Sequence, residues 1–129
     1  MNTKQQGDIG VAKAIYVYTA LGYIVSIPNT DNSKYDLIID KDKQIKRVQV
    51  KTTTYQTKYG IYQVLLKTSG GNQSWNGEVG KIESSNVDIV FIVCNDGTCY
   101  EFPIAELENS STVNLGKDKD QFKVELDRW

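Results

Sequence analysis

Three side chains in the segment YDLIIDKDKQIKRVQVKTT, residues 35–53, could act together on a divalent cation. Alternating apolar and polar residues predict two β-strands joined by a polar turn. Side chains alternate across a strand, so Gln49 and Lys51 share the face opposite Val48 and Val50. If Asp36 in the first strand shares that face, a carboxylate and an amide oxygen converge there. Such oxygen ligands suit a hard cation such as Mg²⁺. A solvent-exposed polar face would explain Arg47, Asp40 and the DKDK turn, but it explains Asp36 less well because Asp is rare in strands.

A fourth polar residue, Asp8, belongs to a predicted helix over residues 3–21, which Gly22 ends. A stripe at three- and four-residue spacing, extended backwards, places Asp8 on the face that we expect to point inward. An acid in the first turn is equally typical of helix capping or of pairing with the helix dipole. The stripe consists of Ile9, Ala12, Ile15, Tyr16, Thr19 and Ala20.

Composition excludes several classes of protein. The 129 residues suggest one domain, residues 1–129, and no apolar run is long enough to span a bilayer. The N-terminus lacks the pattern of a signal peptide, so we expect a cytoplasmic protein. Histidine is absent, which excludes a histidine base and zinc sites built on imidazole. With a net charge of −1, nucleic-acid binding would have to come from a local basic patch.

The order of predicted elements indicates an α/β or α+β fold. After the helix come strands at about 23–27, 35–40, 45–53, 61–67 and 87–94, and then the strand CYEFPI. The almost wholly apolar VDIVFIVC is typical of a central strand covered on both faces. We expect the strand at 61–67 to pair with its predecessor through TKYG. Cys94 and Cys99 flank a predicted turn, where they could lie opposite each other as reduced thiols.

These motifs, in this order, resemble the PD-(D/E)XK nucleases, which have a restriction-endonuclease-like fold. In that family an Asp on one strand is followed by an acid, a spacer and a Lys on the next, matched here by Asp36, Val50 and Lys51. Gln49 replaces the acid, as in the small endonucleases associated with group I introns, where QVKT closes the hairpin. Gly7-Asp8 stands where that branch has GE. The segments TSGGNQS and VDIVFIV also resemble it, so the similarity covers nearly the whole chain.

The resemblance implies an N-terminal helix packed on a central mixed sheet with a β-hairpin extension. It also implies site-specific hydrolysis of DNA phosphodiester bonds with Mg²⁺, for which Mn²⁺ can substitute, by a homing endonuclease located at the nucleoid. The implied catalytic residues are Asp8, Asp36, Gln49 and Lys51. The implied metal ligands are Asp36, Gln49, the Val50 backbone carbonyl and, through water, Asp8.

A near-neutral nuclease must concentrate its cations where it meets double-stranded DNA. Either the ribbon of residues 52–63 or the glycine-rich loop of residues 69–80 could read the bases. Cutting two strands with one small domain implies a homodimer or homotetramer. The expected DNA-binding residues are Lys46, Arg47, Thr53, Gln56, Lys58, Tyr59, Lys67, Asn72, Gln73, Ser74, Asn76 and Lys81.

Three alternatives remain open. A Holliday-junction resolvase shares the fold, although such enzymes normally keep an acid in the position of Gln49. A restriction-type nuclease is the second alternative, although most of these are longer. The third is a non-catalytic DNA-binding module that has kept the fold and lost the acid.

Overall fold

A capped N-terminal helix, α1 (Thr3–Ala20), opens the computed structural model, which describes residues 1–30, 33–66, 68–69, 79–80 and 86–127. The Asn2 side chain accepts a hydrogen bond from the Gln5 backbone N–H at 2.8 Å, and the Gln5 side chain accepts one from the Asn2 N–H at 3.1 Å. This reciprocal capping box satisfies two N–H groups that the helix leaves unpaired. Gly22, with φ of +92°, ends the helix as predicted.

Within the described ranges, ten strands follow the helix, and six of them form a mixed sheet. The sheet order is β1-β2-β3-β7-β8-β10, in which β3 and β7 are parallel and all other neighbours are antiparallel. Strands β4 and β9 form a separate pair, as do β5 and β6. The strands are β1 (Ile24–Ser26), β2 (Leu37–Lys41), β3 (Gln44–Thr53), β4 (Gln63–Leu65), β5 (Thr68–Ser69), β6 (Val79–Gly80), β7 (Ile89–Cys94), β8 (Cys99–Pro103), β9 (Thr112–Asn114) and β10 (Lys123–Val124).

The predicted hairpin is present as β2 and β3, joined by a turn of two residues. Asp42 and Lys43 both have positive φ, 54° and 66°, which matches the right-handed twist of the strands. The pairing aligns Leu37 with Val48 and Lys41 with Gln44. Each residue of β2 and β3 is thereby assigned to one of the two faces of the sheet.

The sheet separates two hydrophobic cores. One core, on what we call the helix face, packs α1 against side chains such as Leu37, Val48 and Phe91. The other core, on what we call the site face, joins Val90 and Ile92 to the β4–β9 pair and the segment after β8. All six residues of β7 are buried, so the prediction of a central strand covered on both faces is confirmed.

A hydrogen bond anchors α1 to the far side of the helix-face core. The fully buried Tyr18 donates its hydroxyl to Glu101 Oε2 of β8 at 2.7 Å. Burial, reinforced by the nearby carboxylate, raises the pKa of Tyr18, so the phenol stays protonated and keeps donating. Among the described residues, no helix is long and apolar enough to cross a membrane.

The predicted inward stripe of α1 is wrong. The buried residues are Gly10, Ala14, Val17 and Tyr18, whereas Ile9 is 50% exposed. The physical reason is a close approach of the helix to β3 at Gly10, where a Cβ atom would overlap Thr52 Cγ2. Because glycine adds no apolar side chain to the sequence pattern, the pattern identified a neighbouring face of α1 as the buried one.

Two pairings also differ from expectation. Strand β4 pairs with β9, which was not predicted. Strand β4 contacts the end of β3 through the hydrogen bond from the Thr53 hydroxyl to the Gln63 carbonyl, and the chain between the two strands, the hairpin tip (residues 54–62), is bridged between Gln56 and Tyr62. Cys99 lies opposite Val93 rather than Cys94. Because the two cysteines occupy different cores, their free thiols do not face each other.

We predict that Gly10→Ala lowers the free energy of unfolding by about 1 kcal/mol, because overpacking outweighs the gain in helix propensity. Gly7→Ala is the matched control, since nothing lies within 4 Å of a Cβ there. It should raise the free energy of unfolding by roughly 0.5–1 kcal/mol. Urea unfolding measures both changes. Adding Thr52→Ser, which deletes Cγ2, should rescue Gly10→Ala, and equal effects of the two glycine substitutions would contradict the assignment.

Candidate active site

Asp36 occupies the point where β2 separates from β3. Its backbone N–H donates to the Val48 carbonyl at 2.8 Å. Its Oδ2 atom accepts the Val50 backbone N–H at 2.7 Å. The β-ladder between the two strands ends at Leu37 and Val48. The Asp36 carboxylate therefore takes the place of a main-chain acceptor for the Val50 N–H. The side chain is therefore held at the opening between the strands.

Gln49 and Lys51 lie beside this carboxylate, as predicted. Gln49 Nε2 is 3.4 Å from Asp36 Oδ2. The charge of Asp36 acts on Lys51, which follows two residues later on the same face of β3. The Val50 carbonyl points to the same side as its N–H, because both groups of a strand residue face the same neighbour. The structure thus brings together three predicted side chains and one predicted carbonyl.

Burial changes the protonation behaviour of both charged groups. Burial raises the pKa of Asp36, although the Val50 N–H and the Lys51 charge lower it in part. Burial lowers the pKa of Lys51, and the Asp36 charge offsets this in part. Both charged forms are therefore less favourable here than in water, as is common at functional sites. A bound cation would compensate the cost of the buried carboxylate.

The donor set fits a hard cation that retains water. It offers one carboxylate, one amide oxygen and one backbone carbonyl, and Mg²⁺ usually takes one or two carboxylates and keeps several waters. Within the described part of the chain, no three acidic, cysteine or histidine side chains gather into a metal cluster. A cation at Asp36 would thus be held by one charge and by neutral oxygens.

The expectation that Asp8 points inward is wrong. Its side chain is 69% exposed and forms an ion pair with Lys4 at 3.1 Å. The buried stripe of α1 leads back instead to Gln6, which lines a cavity of about 390 Å³ with Thr52 and Asn95. Sequence reasoning missed Gln6 because the phase of the helix depends on the contact at Gly10.

The predicted DNA-binding residues of β3 have different environments. Lys46 lies on the helix face, opposite Gln49 and Lys51. Arg47 lies on the site face, where its Nε donates to Asp88 Oδ2 at 3.2 Å. That contact, with the Arg47 backbone N–H, lowers the pKa of Asp88. Thr53 is buried, and its hydroxyl donates to the Gln63 carbonyl at 2.7 Å.

The remaining predicted DNA-binding residues fall into two groups. Gln56, Lys58 and Tyr59 are exposed on the hairpin tip that extends β3. The others lie outside the described residues: Lys67, Asn72, Gln73, Ser74, Asn76 and Lys81.

Comparison with known proteins identifies the family. The sequence profile of the PD-(D/E)XK endonucleases matches residues 1–125. The chain belongs to the PD-(D/E)XK endonuclease family. The family predicted from the YD and QVK motifs is therefore confirmed, and the chain is a nuclease by family and fold.

Two further similarities to known proteins were found. Protein 5.3 of Escherichia phage T7 is 32% identical over 111 residues, which are 84% of this chain and 86% of the phage protein. The structure of the bacterial homing endonuclease I-Ssp6803I superposes with a TM-score of 0.76. That match covers 99% of this chain and 82% of the other at 24% identity, so it shows the fold.

We predict that Asp36→Asn raises the free energy of unfolding near neutral pH in EDTA. The raised pKa means that the folded state binds a proton more readily than the unfolded state, so ionised Asp36 costs stability above its folded pKa. This cost disappears as the pH falls below the unfolded value of about 3.9. Asn can still accept the Val50 N–H.

Urea unfolding from about pH 7 to about pH 3.5 tests the prediction, because the advantage of Asp36→Asn should shrink as the wild-type carboxyl becomes protonated. Asp40→Asn, which removes a carboxylate from the same strand, is the control for the loss of one negative charge. A constant difference between wild type and Asp36→Asn at every pH would contradict the raised pKa.

Proposed function

We propose that this PD-(D/E)XK nuclease hydrolyses phosphodiester bonds of double-stranded DNA at specific sites with Mg²⁺, and that Mn²⁺ can substitute. The observation that carries the proposal is the meeting of Asp36, Gln49 and Lys51 where β2 and β3 separate. An intron-associated homing endonuclease is the form we propose. The fold that the chain shares with the homing endonuclease I-Ssp6803I and the QVKT variant of the motif support it.

Each residue of the site has a proposed role. Asp36 supplies the negative charge that holds the cation, while the Gln49 amide and the Val50 carbonyl contribute neutral oxygens. When bound, Mg²⁺ supplies Lewis-acid stabilisation of the charge that develops on the phosphate. Lys51 orients the attacking water and accepts its proton at a lower pH than a surface lysine, because burial lowers its pKa.

Asp8 is proposed to act only indirectly, by holding a water that belongs to the cation. Its ion pair with Lys4 and its exposed position support an indirect role over direct ligation. An Asp8→Asn substitution should therefore reduce cleavage far less than Asp36→Asn. Equal losses from the two substitutions would make Asp8 a direct participant.

We propose that the active enzyme is a homodimer or homotetramer, because each chain carries one site and a duplex has two strands. We propose that a second copy of the chain binds the sheet surface on which Ile24, Asp40 and Ile45 lie side by side across three strands. Both isoleucines are about two-thirds exposed, at 68% and 67%. Exposed apolar rows of this kind are typical of contact surfaces.

We predict that Lys51→Met abolishes cleavage while DNA binding persists. Methionine keeps the apolar stem of the side chain and removes the amine. The assay incubates a diverse plasmid library with Mg²⁺ and sequences the ends, and Lys46→Met, on the opposite face of β3, is the matched control. Cuts at the same discrete sites are expected from wild type and Lys46→Met, because a lysine that only binds DNA changes the amount of cutting and not the chemistry, whereas Lys51→Met should lose at least a hundredfold at saturating protein, in the range of general acid–base effects.

The same assay tests the oligomer and the alternatives. An equal mixture of wild type and Lys51→Met should yield nicked circles, because mixed oligomers carry one inactive site. Tight binding without cuts by any variant would favour a non-catalytic module. Cutting confined to four-way junctions would favour a resolvase.

We predict that Gln49→Glu lowers the Ca²⁺ concentration required for thermal stabilisation, because it adds a second carboxylate beside Asp36. The shift in melting temperature across a Ca²⁺ titration measures this, and Ca²⁺ is used as a hard cation without requiring turnover. Gln44→Glu, at the other end of β3, is the control for added charge. If both variants respond to Ca²⁺ like the wild type, position 49 does not contact the cation.

A further inference from the structure

The chain between β3 and β4 forms a short hairpin with a defined shape, which we call the hairpin tip (residues 54–62). The Thr57 N–H donates to the Ile61 carbonyl at 2.8 Å, and the Gly60 N–H donates to the Thr57 carbonyl at 2.9 Å. Gly60 has φ of +76°, a conformation that suits glycine at a tight turn. The backbone thus presents the side chains of the tip in fixed directions.

Two tyrosines of this hairpin are displayed to solvent rather than packed into a core. Tyr55 is 58% exposed and Tyr59 is 76% exposed. With neighbouring residues they line a concave site of about 390 Å³, a size in the usual range for ligand sites. We call this site the tip cradle, and its lining residues are Tyr55, Thr57, Lys58, Tyr59, Ile61 and Asn114.

The polar groups of the tip cradle complement an aromatic ligand that carries a phosphate. Lys58 Nζ lies 5.2 Å from the centroid of the Tyr59 ring, which places a positive charge beside the aromatic face. Asn114 Oδ1 accepts a hydrogen bond from Gln63 Nε2 at 2.8 Å, and this bond orients the amide. The N–H donors of the Asn114 amide therefore point away from Gln63. A flat ring, an anion and hydrogen-bonding edges occur together in a nucleotide.

We propose that the tip cradle stacks one unpaired nucleobase of the DNA substrate against its tyrosine rings, while Lys58 contacts the adjoining phosphate. Base–aromatic stacking is tolerant of sequence, so the cradle selects an unstacked base and not a base identity. This inference rests on the proposed function in that it takes DNA as the substrate. It names a second site on the protein, separate from the residues that hydrolyse the phosphodiester.

The geometry limits where that base lies. Thr57 is six residues beyond Lys51, and an extended chain spans at most about 3.3–3.6 Å per residue, so the two are no more than about 20 Å apart. Since successive base pairs are about 3.4 Å apart, this backbone span corresponds to about six base pairs, so the stacked base lies close to the cut along the DNA. The base can come from a duplex that the protein opens or from DNA that is already unpaired.

Fluorescence of 2-aminopurine tests the proposal with the full chain in EDTA, which prevents cleavage. One probe is a 20-base-pair duplex with a single bulged 2-aminopurine, and the other is the fully paired duplex. We expect the bulged base to be quenched on binding and the bulged probe to bind more tightly. Tyr59→Leu should weaken binding of the bulged probe about tenfold and abolish the quenching, in line with the usual contribution of stacking.

Tyr16→Leu is the matched control, because Tyr16 is also exposed and lies under a lysine, with Lys13 Nζ at 5.4 Å from its ring. It should leave both probes unaffected. A change in fluorescence of the paired probe on binding, where 2-aminopurine starts quenched by its neighbours, would mean that the protein itself unstacks the base, whereas a change in the bulged probe alone would mean that it captures unpaired DNA. Either result supports the cradle.

Equal affinity for the two probes, or equal effects of Tyr59→Leu and Tyr16→Leu, would overturn the inference. Its failure is distinguishable from failure of the proposed function. A protein that cuts plasmids without preferring the bulged probe contradicts only the cradle. A protein that quenches the bulged base but cuts no DNA contradicts only the nuclease.

Discussion

The hydrogen bond from the Val50 N–H to the Asp36 carboxylate is the interaction on which the candidate site depends. At 2.7 Å it joins two strands where their main chains no longer pair, and it holds an acid that burial disfavours in its charged form. The same bond places the acid between Gln49 and Lys51. The pairing of the two strands and the proposed chemistry therefore depend on the same carboxylate, and the strand separation leaves room beside it for the proposed cation and phosphate.

The two faces of β3 have different roles. Val48 and Val50 pack against α1, and this packing holds the strand in place. Gln49 and Lys51 project from the other face. Beyond the core, the strand continues into the hairpin tip, so one stretch of chain connects the helix contact at Thr52, the candidate site and the exposed tyrosines. A rigid strand suits this task because small displacements of catalytic groups are costly.

Much of the fold was predictable because the relevant signals are local. Alternation in YDLIID and RVQVKTT predicts β2, β3 and the shared face of Gln49 and Lys51, and the apolar VDIVFIVC predicts β7. Which face of α1 is buried was not predictable, because it depends on the contact between Gly10 and Thr52, which are far apart in sequence. The pairing of β4 with the three-residue β9 is also a long-range event. For the same reason, the inward-facing Gln6 was missed and Asp8 was placed wrongly.

The turn at Asp42 and Lys43 has a consequence for how this chain can vary. Its two residues with positive φ fix the alignment of β2 with β3, and side chains alternate with a period of two. If one inserted residue were taken up by sliding β3 along its neighbours, Val50 would turn toward the site and Gln49 and Lys51 toward the apolar core under α1. A change in the length of the turn that is taken up in this way would dismantle the site, whereas a substitution that keeps the length leaves the register unchanged. The spacing between Asp36 and Lys51 is therefore as much a part of this arrangement as the residues themselves.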